Sequence, residues 1–88
     1  MVKQVIAKFT VEKNSTVVNI FHANQGEGLA KHEHTFSHLT MCHAGSLVVR
    51  KEGKQLIMNK DSQPINLIKN EWHEIEALEN GTVFVNIY

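Results

Sequence analysis

The chain has 88 residues and a mass of 10.0 kDa, room for one small domain whose modest core calls for a supplement such as a metal, an oligomer interface or a disulfide. Nine Lys and Arg balance nine Asp and Glu, which excludes the basic excess of a nucleic-acid binder and of a polybasic membrane-surface protein. The single cysteine, Cys42, excludes an intrachain disulfide, and no stretch approaches the roughly 20 apolar residues of a spanning helix.

In chain order, Met1–Lys8 lacks the long apolar run of a signal peptide, so residues 1–88 are read as a single cytoplasmic domain. Val2–Phe9 and Thr16–His22 are rich in β-branched and aromatic residues and predict strands, with Asn14-Ser15 lying between them. Asn24-Gln25-Gly26-Glu27-Gly28 predicts a loop whose glycines permit unusual backbone angles. Strands follow at Phe36–His43 and Ser46–Lys51, separated by Ala44-Gly45. Glu52-Gly53-Lys54 signals a hairpin into Gln55–Asn59, and Asp61-Ser62-Gln63-Pro64 marks the next turn. Ile65–Ile68, His73–Leu78 and Thr82–Tyr88 complete the set, with Asn80-Gly81 as a two-residue hairpin turn. In His73–Leu78 the alternation buries His73, Ile75 and Ala77 and leaves Glu74 and Glu76 in water. Eight or nine short strands without a convincing helix predict an antiparallel sandwich or barrel.

Histidine is over-represented: six in all, five of them between His22 and His43. The spacing of His32-Glu33-His34 puts two rings on one face of a strand, and His38 keeps the same parity if the strand continues. Three imidazoles on one face pack a core poorly, because each brings polar nitrogens that need partners. They suit a transition metal, for which neutral imidazole is the commonest ligand. The bland alternative for a lone His-x-His, chance on a solvent-facing strand, weakens once His38 is added.

The spacing resembles the cupin family. Its first motif runs glycine, spacer, His-x-His, three or four residues, glutamate, six residues, glycine. Gly28, His32-Glu33-His34, His38 and Gly45 follow that template, with His38 where the family has glutamate. The second motif, Pro-x-Gly-x-x-His, is matched in spacing by Ile68-Lys69-Asn70-Glu71-Trp72-His73, with Asn70 replacing the glycine as the residue that best tolerates a positive φ. Ala77 stands where the family often has Asn. The resemblance implies an all-β cupin barrel of jelly-roll type with six to eight strands. It also implies a four-histidine metal site of His32, His34, His38 and His73. Four nitrogens suit Mn, Fe, Ni, Cu or Zn and suit Ca or Mg poorly. Neutral ligands leave the charge of a divalent ion uncompensated, which favours an anionic ligand.

The other candidates read as structural. His43 has the wrong parity for the site, Cys42 is a small buried hydrophobe, and Phe36 and Met41 are core or interface residues. His22 lines the cavity or, as the commoner outcome, is a hydrogen-bonded core histidine, and Trp72 packs at the barrel rim. Glu27, Glu71 and Glu74 read as solvated carboxylates, so no catalytic residue is assigned. The family resemblance implies dioxygenase, isomerase or lyase chemistry on a small oxygen-rich substrate. The alternatives are a non-catalytic metal- or small-ligand-binding module and a purely structural metal. Outward-facing Leu39 and Met41 predict a homodimer.

Overall fold

Period-two alternation of apolar and polar side chains organises residues 2–88, the part of the chain described by the computed structural model, into strands alone. They are β1 (Lys3–Gln4), β2 (Phe9–Lys13), β3 (Thr16–Ala23), β4 (Glu27–His32) and β5 (His38–Ala44). The remaining five are β6 (Ser46–Lys51), β7 (Lys54–Asn59), β8 (Ile65–Leu67), β9 (His73–Ala77) and β10 (Thr82–Ile87). One sheet has the order β1-β4-β9-β6-β7 and the other β2-β3-β10-β5-β8. Every pairing is antiparallel except the short one between β1 and β4. This is the expected all-β jelly roll, with its wall divided into two facing sheets and ten strands in place of six to eight. No helix among the described residues is long and apolar enough to cross a membrane.

The inner faces meet in one apolar cluster. Phe21 and Phe84 stack with ring centroids 4.8 Å apart, and Leu47, Val49, Met58, Leu67, Ile75 and Ala77 close around them. The alternation read in β9 holds: His73, Ile75 and Ala77 are buried. Glu74 and Glu76 are not free in water, however, because Arg50 Nη1 donates to both carboxylates at 3.1 and 2.8 Å.

Three other expectations are corrected. Val2–Phe9 is not one strand: β1 belongs to the first sheet, residues 5–8 cross between the sheets, and β2 starts the second. The segment keeps its alternation, with Val5 and Ala7 against the core and Ile6 exposed, but it leaves the first sheet's ladder after Val5 and joins the second only at Lys8. Asn80-Gly81 does not close a hairpin, since β9 and β10 lie in different sheets. Instead Asn80 Oδ1 accepts from Gln25 N–H at 3.0 Å and Gly81 N–H donates to Asn24 Oδ1, which ties two corners together. The tight left-handed hairpin turn is at Asn14-Ser15, with φ of 51° and 68°, joining β2 to β3. Gly28, finally, is no loop residue; it lies inside β4, where a Cβ would stand 2.0 Å from the Ile75 carbonyl oxygen.

Candidate metal centre

The histidines gather at one end of the two sheets, but strand parity is not what gathers them. β4 ends at His32, and residues 33–37 form a loop that carries His34 before β5 begins at His38. His32 and His73 are cross-strand partners in β4 and β9, beyond a register shift after Leu29. His38 comes from the opposite sheet. Two contacts hold the His34 loop: Asn70 N–H donates to the His34 carbonyl at 2.7 Å, and Lys69 N–H donates to Ser37 Oγ at 3.1 Å. Asn70 has φ 65°, so the residue replacing the motif glycine does make the left-handed turn that aims this strap.

His32, His34 and His73 each bring a ring nitrogen within 4.8 Å of the others. His32 Nε2 and His34 Nε2 are 2.9 Å apart. The ring centroids of His38 lie 5.0 Å from His34 and 5.5 Å from His73, but His38 does not join the close cluster, which holds His32, His34 and His73 alone among the described residues. Partners on the far side of two rings set their tautomers. His32 Nδ1 donates to the Ala30 carbonyl at 2.5 Å, leaving the Nε2 lone pair facing the cluster. Thr40 Oγ1 gives its proton to Asn86 Oδ1 at 2.8 Å and therefore accepts from His38 Nδ1 at 3.3 Å. That leaves His38 Nε2 unprotonated, buried and without a partner.

Both nitrogens of His73 are also buried without a hydrogen bond. Orphaned polar atoms in a core cost about 1–3 kcal/mol each, so three of them in two neighbouring rings need an explanation. A cation would meet the lone pairs of His38 Nε2 and of one His73 nitrogen, and the donor set fits a transition ion. Burial, reinforced by repulsion from His32, His38 and His34, lowers His73 from its ordinary 6.5 to about 4. The Glu71 carbonyl opposes that shift without reaching hydrogen-bond geometry. Burial also lowers His38 and His34, with neighbouring rings adding to it. All three are thus neutral at pH 7, the form a metal binds.

A cavity of about 470 Å³ opens beside His32 and His34, bounded by Val5, Ala7, Phe21 and Leu29 on its apolar side. Asn19 and Asn86 on its polar side are the middle of a row that the sequence reading missed. Thr10, Asn19, Asn86 and Thr40 lie opposite one another across β2, β3, β10 and β5. The signal was present in β10, where Thr82, Phe84, Asn86 and Tyr88 share parity and an amide sits on an otherwise buried face. Phe36 was also misplaced. It is exposed, outside the core, stacks on His34 at 4.8 Å and meets the Tyr88 ring at 4.9 Å, capping the site.

The other candidates fall as follows. His43 is exposed, and Cys42 is buried in the core with its thiol pushed up by burial. His22 does not line the cavity. The inner face of β3 is Asn19, Phe21 and Ala23, so His22 points outward against the edge of Phe9. Trp72 is half-buried under the Lys31 ammonium, 4.3 Å from its ring centroid, at the rim. Glu27 accepts from Asn24 N–H and Glu74 from Arg50, while Glu71 is exposed; none of the three lines the cavity.

No protein-family model matches the sequence, and no curated protein does either. Solved structures do match. A cupin-2 domain protein from Shewanella frigidimarina aligns over 93% of this chain and 80% of its own, with TM-score 0.76 and 13% identity. A double-stranded β-helix protein from Klebsiella pneumoniae aligns over 93% and 69%, with TM-score 0.75 and 20% identity. KdgF from Halomonas sp. aligns over 82% and 67%, with TM-score 0.74 and 15% identity. The likeness establishes the cupin fold.

Proposed function

We propose that this cupin-fold chain binds one divalent transition ion, Mn, Fe, Ni, Cu or Zn, through His32, His34, His38 and His73, and uses it on a small oxygen-rich substrate. The single observation that carries this reading is the close cluster of His32, His34 and His73 ring nitrogens, with buried, unpartnered nitrogens on His73 and on the neighbouring His38. When bound, such an ion supplies Lewis-acid or redox chemistry at its open positions. The chain's own part is to orient the rings and fix their tautomers through Ala30 and Thr40, and to exclude water with Phe36, Phe21 and Leu29. Dioxygenase, isomerase and lyase reactions all suit a site of this kind.

A second reading, a non-catalytic module that captures a small ligand on the ion, is favoured by one fact: no carboxylate side chain lines the cavity to act as a general base. Elemental analysis of wild type and His38→Ala tests the shared premise. About one transition ion per chain, reduced in the variant, supports it; no metal after reconstitution defeats it. Turnover or its absence across a panel of small oxygen-rich compounds then separates the two readings.

We further propose a homodimer in the cytoplasm. The outer face of the second sheet carries two in-register apolar rows, Phe9, Ile20, Val85, Met41 and Val11, Val18, Ile87, Leu39. Phe9, Val11 and Leu39 are more than 40% exposed, and these rows hold no charge, so the surface they match best is another copy of themselves.

A further inference from the structure

We propose that the cavity selects a small carboxylate, gripped by two hydrogen-bond donors, the Asn86 amide and the Tyr88 hydroxyl; this deepens the metal-site reading and rests on it. Thr10 Oγ1 can only donate to Asn19 Oδ1, at 2.7 Å, which turns Asn19 Nδ2 toward Tyr88. Asn19 Nδ2 then donates to the Tyr88 oxygen, so the phenolic proton is left for a ligand. In the next pair along the row, Thr40 donates to Asn86 Oδ1, which leaves Asn86 Nδ2 with no acceptor among the described residues. Asn86 is 3% exposed and lines the cavity. Its amide nitrogen is not among the fully buried orphaned atoms, so it meets the water of the cavity, which a ligand oxygen can replace.

Each side-chain amide oxygen in the cavity already holds a hydrogen bond: Gln4 Oε1 accepts from Ala30 N–H, Asn19 Oδ1 from Thr10 and Asn86 Oδ1 from Thr40, and among the described residues no Asp or Glu borders the space. Apart from the imidazole lone pairs of the proposed metal site, the side chains left free on the wall are the donors Asn86, Tyr88 and Lys31, which match a ligand made of acceptors. Four neutral imidazoles leave a divalent ion's charge uncompensated, which selects an anion over a neutral carbonyl compound. The apolar wall of Val5, Ala7, Phe21 and Leu29 takes a short hydrocarbon body. Asn86 and Tyr88 are therefore binding residues for a carboxylate whose apolar end faces Phe21.

The test uses the Zn-loaded, 15N-labelled protein titrated with isobutyrate and, separately, with its neutral isostere isobutyramide, following the Asn86 side-chain amide resonances. Isobutyrate is expected to shift them saturably and to bind at least ten-fold more tightly than isobutyramide. Tyr88→Phe is expected to weaken isobutyrate about ten-fold while leaving the zinc content unchanged. Equal affinity for acid and amide, or an unshifted Asn86 amide, overturns the proposal. If the protein takes up no zinc, the metal reading fails by itself. The same titration on metal-free protein then decides this proposal: a saturable shift at Asn86 supports it, and none overturns it.

Discussion

His32 and His73 face each other across neighbouring strands, with rings edge to face and centroids 4.4 Å apart. Two imidazoles this close repel when both are charged, and a proton on buried His73 would find no hydrogen bond. His73 is therefore neutral at pH 7, and several consequences can be measured.

Metal-free protein should lose stability on acidification. His73 is lowered to about 4 in the folded chain and returns to about 6.5 on unfolding, so the unfolded state binds the proton first as pH falls. The contribution is complete above pH 6.5, declines through the interval and is gone below about 4. For His73 alone it is on the order of 3 kcal/mol. Urea denaturation at pH 7 and pH 4.5 measures it, and equal midpoints would contradict the assignment.

Thr40→Val should weaken metal binding without removing a ligand. The Thr40 hydroxyl takes the His38 Nδ1 proton, and losing such an outer partner typically costs about 10–100-fold in affinity. Competition with a chromophoric chelator reads the change. His73→Ala, which deletes a ligand, should lower metal content well beyond Thr40→Val.

Gly28→Ala should cripple the fold. A Cβ 2.0 Å from a backbone oxygen of β9 cannot be relieved by a rotamer change, so β4 and β9 must part. We expect a loss above about 4 kcal/mol, the range reserved for severe lesions. A thermal melt within a few degrees of wild type would show that the strands yield more easily.

Leu39→Glu should dissociate the proposed dimer. The new carboxylate would sit beside Ile87, its partner in register, and in a symmetric pair it would enter the interface twice. Light scattering should show about 20 kDa for wild type and 10.0 kDa, the chain mass, for the variant. A 10 kDa wild type at micromolar concentration would refute the dimer.

Much of this was legible in order along the chain. The β6–β7 hairpin, the buried parity of His73, Ile75 and Ala77, and the positive φ at Asn70 follow from local chemistry, and local chemistry is what a sequence displays. The errors lie where the chain changes sheets. Asn80-Gly81 has hairpin composition but joins two sheets, and Val2–Phe9 has strand composition but is divided between them. Composition is blind to which ladder a residue enters. The Thr10–Asn19–Asn86–Thr40 row was missed for the same reason, since its members are far apart in sequence and meet only through strand order. His32, His34 and His38 were found by spacing, yet the loop at 33–37 aims His34, and no continuous strand does so.

His38 rides on one sheet, whereas His32 and His73 ride on the other and His34 hangs from the end of β4. The gap between the sheets is thus the aperture of the proposed ligand set. Phe84 and Leu47 are fully buried spacers in that gap, and neither belongs to the proposed set. Enlarging or trimming them would change which ionic radius the four rings accommodate, so selectivity among ions is tunable from the core without altering a single ligand.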